Sequence, residues 1–209
     1  MKGAAKSMLR GAARLAILPL YLWYTVCRRL RRDVGAFQTA SALLSLAPGM
    51  LGLYTRREFY RMTLKSCSND CFIGFGTLLA YPEAEIGARV WIGARCTLGL
   101  VSVGDDALLG GNVDVCSGRH QHGTASPGLA VRDQSGRVER VSIGAGSWIG
   151  NSAVILASVG RACVVGAGSV VVHETGDACV VVGNPARVVR DLAAPEGPVP
   201  EGSEIGVPS

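Results

Sequence analysis

The sequence predicts a mainly β fold: a parallel coil of stacked six-residue repeats, with a helical arm in front of it. Three observations lead there. Between Ile73 and Val171 an aliphatic residue returns at every sixth position, in the runs Ile73 and Leu79; Ile86, Ile92 and Leu98; Val103, Leu109 and Val115; Ile143, Ile149 and Ile155; and Val159, Val165 and Val171. Most are followed directly by glycine, at Gly74, Gly87, Gly93, Gly99, Gly104, Gly110, Gly144, Gly150, Gly160 and Gly166. Four places after the aliphatic position stands a small residue, as at Thr77, Cys96, Ala107, Ser147, Ala153, Cys163 and Ser169. A period of six fits neither an amphipathic helix nor an alternating strand. It fits a coil whose turns cannot bury their own aliphatic row singly but bury a continuous one when stacked. The glycine after each aliphatic residue is expected to supply the positive φ of a sharp corner. The small residue lets the chain pass close to a narrow interior.

Composition agrees. A chain of 209 residues is one domain with appendages, and 48% hydrophobic against 18% charged residues suits a sizeable core. The glycines belong to the repeat and need no disorder to explain them. Seven cysteines form no regular framework. Cys96 and Cys163, on the small corner position, read as buried thiols of a reducing compartment. Cys67 and Cys71 have three residues between them, with no second pair or histidine to complete a metal site.

Residues 1–65 form the predicted arm, helical and either membrane-associating or capping. Lys2, Lys6, Arg10, Arg14, Arg28, Arg29, Arg31 and Arg32 stand among the first 32 residues without one acid, so the net charge of +5 belongs to this arm. Between the basic clusters runs Leu15 to Val26, uncharged and containing Trp23. That is too short to span a bilayer, which takes about 20 residues, and no small-x-small cleavage site precedes the Arg28–Arg32 cluster. A second uncharged stretch, Val34 to Tyr54, leads into Arg56, Arg57 and Arg61 interleaved with Phe59 and Tyr60. Two readings follow. Basic residues and Trp23 suit an anionic membrane surface through residues 1–54, or the helices cover the open end of the coil. The apolar run is the wrong companion for nucleic acid.

The coil domain is expected over 66–182. Its aliphatic row stops between Ser117 and Arg140, where a polar loop, SGRHQHGTASPGLAVRDQSGR, carries His120 and His122. Loops thrown out of a rigid solenoid commonly hold function.

Here the chain resembles a known family, the left-handed β-helix hexapeptide-repeat acyltransferases. The resemblance rests on GNVDVCSGRHQH (Gly111–His122), SIGAGSWIGNSAVIL (Ser142–Leu156), VVGAGSVV (Val164–Val171) and VVGNPARVVR (Val181–Arg190). It covers roughly residues 66–191 and is nearest the O-acetyltransferase branch. With CSNDCFIGFGTLL (Cys67–Leu79) and the apolar arm, it is most similar to exopolysaccharide acyltransferases of the colanic-acid type. Left-handed coiling and a homotrimer come from that resemblance, since parallel crossovers are normally right-handed.

The resemblance also implies the site. The family's loop histidine, eight residues after an Asn or Gly of the preceding turn, maps onto His120 after Asn112. It would act as general base on a sugar hydroxyl attacking a thioester. The backbone N–H of Asn151 would hold the oxyanion. Asn112, His122 and Trp148 are candidates for acceptor binding. Acetyl-coenzyme A is the implied co-substrate, its pantetheine arm lying along Gly150, Gly166, Ala167, Gly168 and Ser169 and its phosphates reached by Arg187 and Arg190. Asp114 and Asp105 are both candidates to orient His120, as is a backbone carbonyl. Two departures stand out: the run Ile155–Val159 is two residues shorter than usual, and Val172-His173-Glu174-Thr175-Gly176 replaces the usual Thr-Lys-Asp and prolines. Residues 183–192 are expected as a turn and short helix, and 193–209 as a disordered tail.

The predicted function is therefore acyl-coenzyme A dependent O-acyl transfer, expected to be acetylation of a saccharide or lipid-linked glycan precursor at the cytoplasmic face of the cell membrane. Alternatives are an acetyltransferase acting on serine or a xenobiotic alcohol, and a non-catalytic trimeric scaffold. A metal hydrolyase of the same coil would need three converging histidines. Only His120 and His122 are near each other in sequence, and His173 lies far along the coil, so no metal is expected.

Overall fold

A computed structural model describes residues 2–31 and 34–194. Three helices come first: α1 (Lys2–Arg31), α2 (Gly35–Ser45) and α3 (Gly49–Thr63). The coil follows, each full turn laying one strand on each of three sheets. The first turn is β1 (Ser66–Cys67), β2 (Phe72–Ile73) and β3 (Leu78–Leu79). The second is β4 (Glu85–Ile86), β5 (Trp91–Ile92) and β6 (Thr97–Leu98), and the third β7 (Val101–Val103), β8 (Leu108–Leu109) and β9 (Asp114–Val115). After the loop come β10 (Val141–Ile143), β11 (Trp148–Ile149) and β12 (Val154–Ile155), then β13 (Val164–Val165) and β14 (Val170–Val171). The last two strands are β15 (Cys179–Gly183) and β16 (Ala186–Asp191). The first sheet runs β1-β4-β7-β10, the second β2-β5-β8-β11-β13-β15-β16 and the third β3-β6-β9-β12-β14, all parallel except the β15–β16 pair.

The register puts the predicted aliphatic residues on one another: Ile73, Ile92, Leu109, Ile149, Val165 and Val181 stack up the second sheet and are buried. The small residues four places on are buried too, among them Thr77, Cys96, Ser147, Cys163 and Ser169.

The glycines serve a different purpose from the one expected. Positive φ falls two residues later, at Arg89, Arg95, Asp106, Asn112, Ser152 and Ala162 and at Gly76, Gly146 and Gly168. The glycine directly after the aliphatic residue is needed for close stacking: a Cβ on Gly74 would stand 2.5 Å from the Gly93 carbonyl, and one on Gly93 would stand 2.5 Å from that of Gly110. The corners of successive turns touch backbone to backbone, so the repeat spends its glycine on proximity and lets Asn, Asp, Arg, Ser and Ala take the left-handed conformation.

The helices cover the open end of the coil. Tyr24, Phe37, Phe59 and Tyr60 form an aromatic cluster with ring centroids 5.8–6.2 Å apart. Ser41 joins this cluster to the coil, bonding the Tyr60 hydroxyl at 2.8 Å while accepting from the Leu79 N–H at 3.0 Å. Burial pushes the Tyr60 phenol up to about 12. Arg56, buried between α2, α3 and β2, donates to the carbonyls of Ile73, Leu44 and Ala47. It thereby satisfies the C-terminal end of α2, where carbonyls lack helical partners. The capping arrangement is thus what the inward face of the arm does.

Its outward face is also apolar. On α1, Ala13, Ile17 and Tyr24 are buried with Leu20 and Tyr21 packed beside them, while Leu15, Leu18, Leu22, Val26 and Leu30 are exposed. At 100° per residue these sets lie on opposite sides of the helix. Among the described residues, no helix is long and apolar enough to cross a membrane.

The predicted C-terminal helix is a strand. β16 pairs antiparallel with β15, with Arg187 opposite Val182 and Arg190 opposite Val180. The β-branched run Val188-Val189 favours a strand, and β15 offers the open edge of the second sheet for it to pair with. The expected tail lies, from residue 195 onward, outside the described residues.

Candidate functional site

A three-sheet coil has three edges, and its corners sort the candidate residues among them. The loop leaves at the edge between the third and first sheets, from β9 to β10. Its root returns antiparallel to itself: Arg137 N–H donates to the His120 carbonyl at 2.8 Å and Glu139 N–H to that of Ser117 at 2.9 Å. These bonds place the Glu139 carboxylate 3.8 Å from His120 Nδ1. Arg137 holds the same carboxylate from the other side at 2.5 Å.

Beside His120 opens a cleft of about 460 Å³ between the loop root and the same edge of the two following turns, Leu156–Ser158 and Val172–Glu174. Arg119 crosses it, donating to the Val172 carbonyl at 2.6 Å and lying 3.2 Å from His173 Nδ1. So His173, read from the sequence as remote, lines the same cleft as His120, brought there by stacking. Glu139 takes the place beside the imidazole for which Asp114 and Asp105 were candidates. Asp105 accepts instead from the Ala88 N–H at 2.7 Å on another edge. Asp114 points outward from β9, its carboxyl raised by burial. His122 lines a second hollow of about 410 Å³ on the far side of His120. Among the described residues, no three His, Cys, Asp or Glu side chains are placed to hold a metal ion.

The remaining candidates stand elsewhere. Asn112, Asn151, Gly166, Ala167, Gly168 and Ser169 occupy the edge between the second and third sheets. Asn112 accepts from Arg95 Nε at 2.9 Å, and the Asn151 side chain accepts from the Gly111 N–H at 3.0 Å. Among the described residues the Asn151 N–H meets no backbone acceptor; the same holds for Ala94 and Ala167 at equivalent corners. Ser169 is buried and its hydroxyl accepts from the Gly183 N–H at 3.1 Å, so that side chain is committed to the coil. Gly150 is a stacking glycine, 2.5 Å from Ala167 N if given a Cβ. Arg187 and Arg190 are exposed on β16. Trp148 projects from the outer face of the second sheet, in register with Leu108 and Val164. One chain therefore does not bring His120 together with the expected cofactor groove, because they lie on different edges of the coil.

No family model matches the chain, and no curated protein sequence matches it. Solved structures do. A maltose O-acetyltransferase from Clostridium difficile 630 aligns over 75% of this chain and 84% of its own, with TM-score 0.66 and 22% identity. A hexapeptide-repeat containing acetyltransferase from Vibrio cholerae O1 biovar eltor, complexed with acetyl coenzyme A, aligns over 75% and 87% with TM-score 0.61 and 20% identity. The chain has the hexapeptide-repeat acetyltransferase fold. A galactoside acetyltransferase in complex with coenzyme A shares that fold at TM-score 0.54 and 19% identity, over 74% of this chain and 80% of its own. On that fold this chain carries a three-helix cap, a closing β15–β16 hairpin and the Glu139–His120–Arg119–His173 row at the loop root.

Proposed function

We propose that the protein is an acyl-coenzyme A dependent O-acyltransferase that transfers acetyl to a hydroxyl of a saccharide or lipid-linked glycan precursor, with His120 as general base. The observation that carries this is a half-exposed imidazole at the mouth of an open cleft with a carboxylate facing its Nδ1. A carboxylate there favours the Nδ1–H tautomer and leaves Nε2 as the basic nitrogen. A hydroxyl is a poor nucleophile until a base takes its proton as it attacks. The acetyl-coenzyme A and coenzyme A bound to the Vibrio cholerae and galactoside enzymes support a thioester as co-substrate. Asn151 N–H is assigned the oxyanion, and the exposed corner at Ala167–Gly168 the pantetheine arm, with Arg187 and Arg190 on the phosphates.

Because these groups lie on a different edge from His120, the reading requires a second copy to complete each site, in a homotrimer. Support comes from the outer face of the second sheet, where Phe72, Trp91, Leu108, Trp148, Val164 and Val180 form one apolar ladder in register. Trp91, Leu108 and Trp148 of this ladder are exposed, and contiguous exposed apolar residues mark interfaces. A monomeric mass in solution would remove the shared site.

Glu139 is a positioning residue in this scheme. Glu139→Gln is expected to lower kcat by about ten- to a hundredfold, the usual cost of losing an orienting partner, with KM for acetyl-coenzyme A unchanged. Steady-state kinetics of coenzyme A release measures it.

The same proposal has the protein act peripherally at the cytoplasmic face of a membrane. Seven free cysteines and the outward apolar face of α1, with Arg29 on the same side, support that placement. Leu22→Asp combined with Val26→Asp should reduce co-sedimentation with phosphatidylglycerol vesicles by about tenfold or more without lowering the thermal midpoint. Undiminished binding would leave α1 as a cap alone.

A further inference from the structure

We infer that Cys67 and Cys71 are a redox-active dithiol that a hydroperoxide oxidises to a disulfide. They flank the corner between β1 and β2, beneath α3, with sulfurs 3.7 Å apart and hydrogen-bonded. Cys67 is half-buried and Cys71, directly behind it, is buried, so a reagent meets Cys67 first.

The surroundings supply a reason for this pair to ionise. Arg57 is 8% exposed, lies 4.8 Å over the Tyr54 ring, and its Nε and Nη2 meet no acceptor. Its neighbour Arg61 shares Glu58 with Arg14, at 3.0 and 2.7 Å, whereas Arg57 has no acid partner among the described residues. A buried guanidinium without a counter-ion is costly, and a thiolate at this corner provides one. The hydrogen bond from Cys67, with the Arg57 charge, lowers the Cys71 thiol against the opposing pull of burial and Asp70. The same bond and burial raise Cys67. The pair loses its first proton readily and keeps its second, and that one charge can shift between the sulfurs along their hydrogen bond.

The chemistry balances. As the shared proton passes from Cys67 to Cys71, the Cys67 sulfur attacks one oxygen of the hydroperoxide; the O–O bond breaks and the leaving alkoxide or hydroxide takes that proton from Cys71, giving a Cys67 sulfenic acid, an alcohol or water, and a Cys71 thiolate. The Cys71 thiolate then attacks that sulfur; the S–S bond forms, the S–O bond breaks, and water departs. Two thiols are oxidised by two electrons and the peroxide is reduced by two.

The coil contains its own control. Cys163 and Cys179 also lie sulfur to sulfur, at 3.6 Å. Both are buried, with no half-exposed partner like Cys67, and the groups acting on Cys179 include no cation. Equal separation with less access and no guanidinium should react more slowly.

The test treats the full-length protein with limiting hydrogen peroxide, alkylates remaining thiols and maps them by mass spectrometry. The peptide spanning both cysteines should lose two hydrogens and both labels, and recover them on reduction by dithiothreitol. Arg57→Gln should slow this by about tenfold at neutral pH, the effect of one pKa unit on the thiolate fraction, and Arg57→Lys should restore most of the rate. Cys71→Ser, which does not depend on the Arg57 variants folding, should trap a dimedone-reactive sulfenic acid at Cys67. The inference is overturned if Cys163–Cys179 or Cys116 oxidises first, or if Cys71→Ser yields no Cys67 adduct.

Discussion

Replacing His120 by alanine should lower acetyl transfer to a competent acceptor by about 10²–10⁴-fold, the range that a positioned general base contributes. The loss should fall on kcat, because the imidazole takes its proton in the transition state and is not asked to hold the thioester. Fold stability should be unaffected within about 0.5 kcal/mol, since the ring is more than half exposed and the carboxylate facing it, Glu139, is held independently by Arg137. Release of free thiol from acetyl-coenzyme A, followed with a chromogenic disulfide, measures the rate. Turnover at the wild-type level would take the catalytic role from His120 and pass it to His173, which lines the same cleft.

A comparably severe effect on stability is expected from one methyl group. Gly93→Ala places a Cβ 2.5 Å from the backbone carbonyl of Gly110, and the turn above offers no side chain to swing away. Overpacking costs typically 1–3 kcal/mol where neighbours can adjust; here the neighbour is the next turn's backbone, so about 3 kcal/mol or more is expected. That is a large part of the roughly 5–15 kcal/mol by which a domain is stable. Urea denaturation should show it as a fall in midpoint, or the variant should fail to accumulate folded. The companion change Ala162→Gly, at φ 52°, should be neutral to mildly stabilising. Relief of left-handed strain, about 1–2 kcal/mol, is only partly offset by the extra backbone entropy glycine loses on folding, roughly 0.5–1 kcal/mol. Equal effects from the two would mean that the glycines are there for conformation after all.

That pair of variants separates what could be read along the chain from what could not. The hexad period identified the stacked row from Ile73 to Val171 and the buried small corner residues, because burial in a solenoid repeats with the sequence and needs no distant partner. It did not reveal why glycine follows the aliphatic residue. Left-handed backbone and close approach both select glycine, and only the distance between turns tells them apart. It marked His120 through the interruption of the row and the resemblance, but not Glu139, Arg119 or His173 beside it. Those residues meet only when the loop folds back on its own root and two later turns stack beneath it. Coil arithmetic carries the signal for His173: it occupies the same edge as Leu156–Ser158, one turn further on.

The two ends of the chain make the same division. The basic, apolar arm was legible as either a lid or a membrane-binding element. Packing gave one side of α1 to the lid, through Ile17 and Tyr24, and left Leu15, Leu22 and Val26 outside, a distinction that follows from 100° per residue once a partner surface exists. At the other end, Val188 and Val189 became a strand because β15 presented an unpaired edge, and open edges recruit strands. The sequence alone determined the repeat, its core and the loop that interrupts it, since these depend on local period and composition. Tertiary structure decided which side chains share an edge of the coil, because residues per corner vary and only the stacked turns bring separate edges into register.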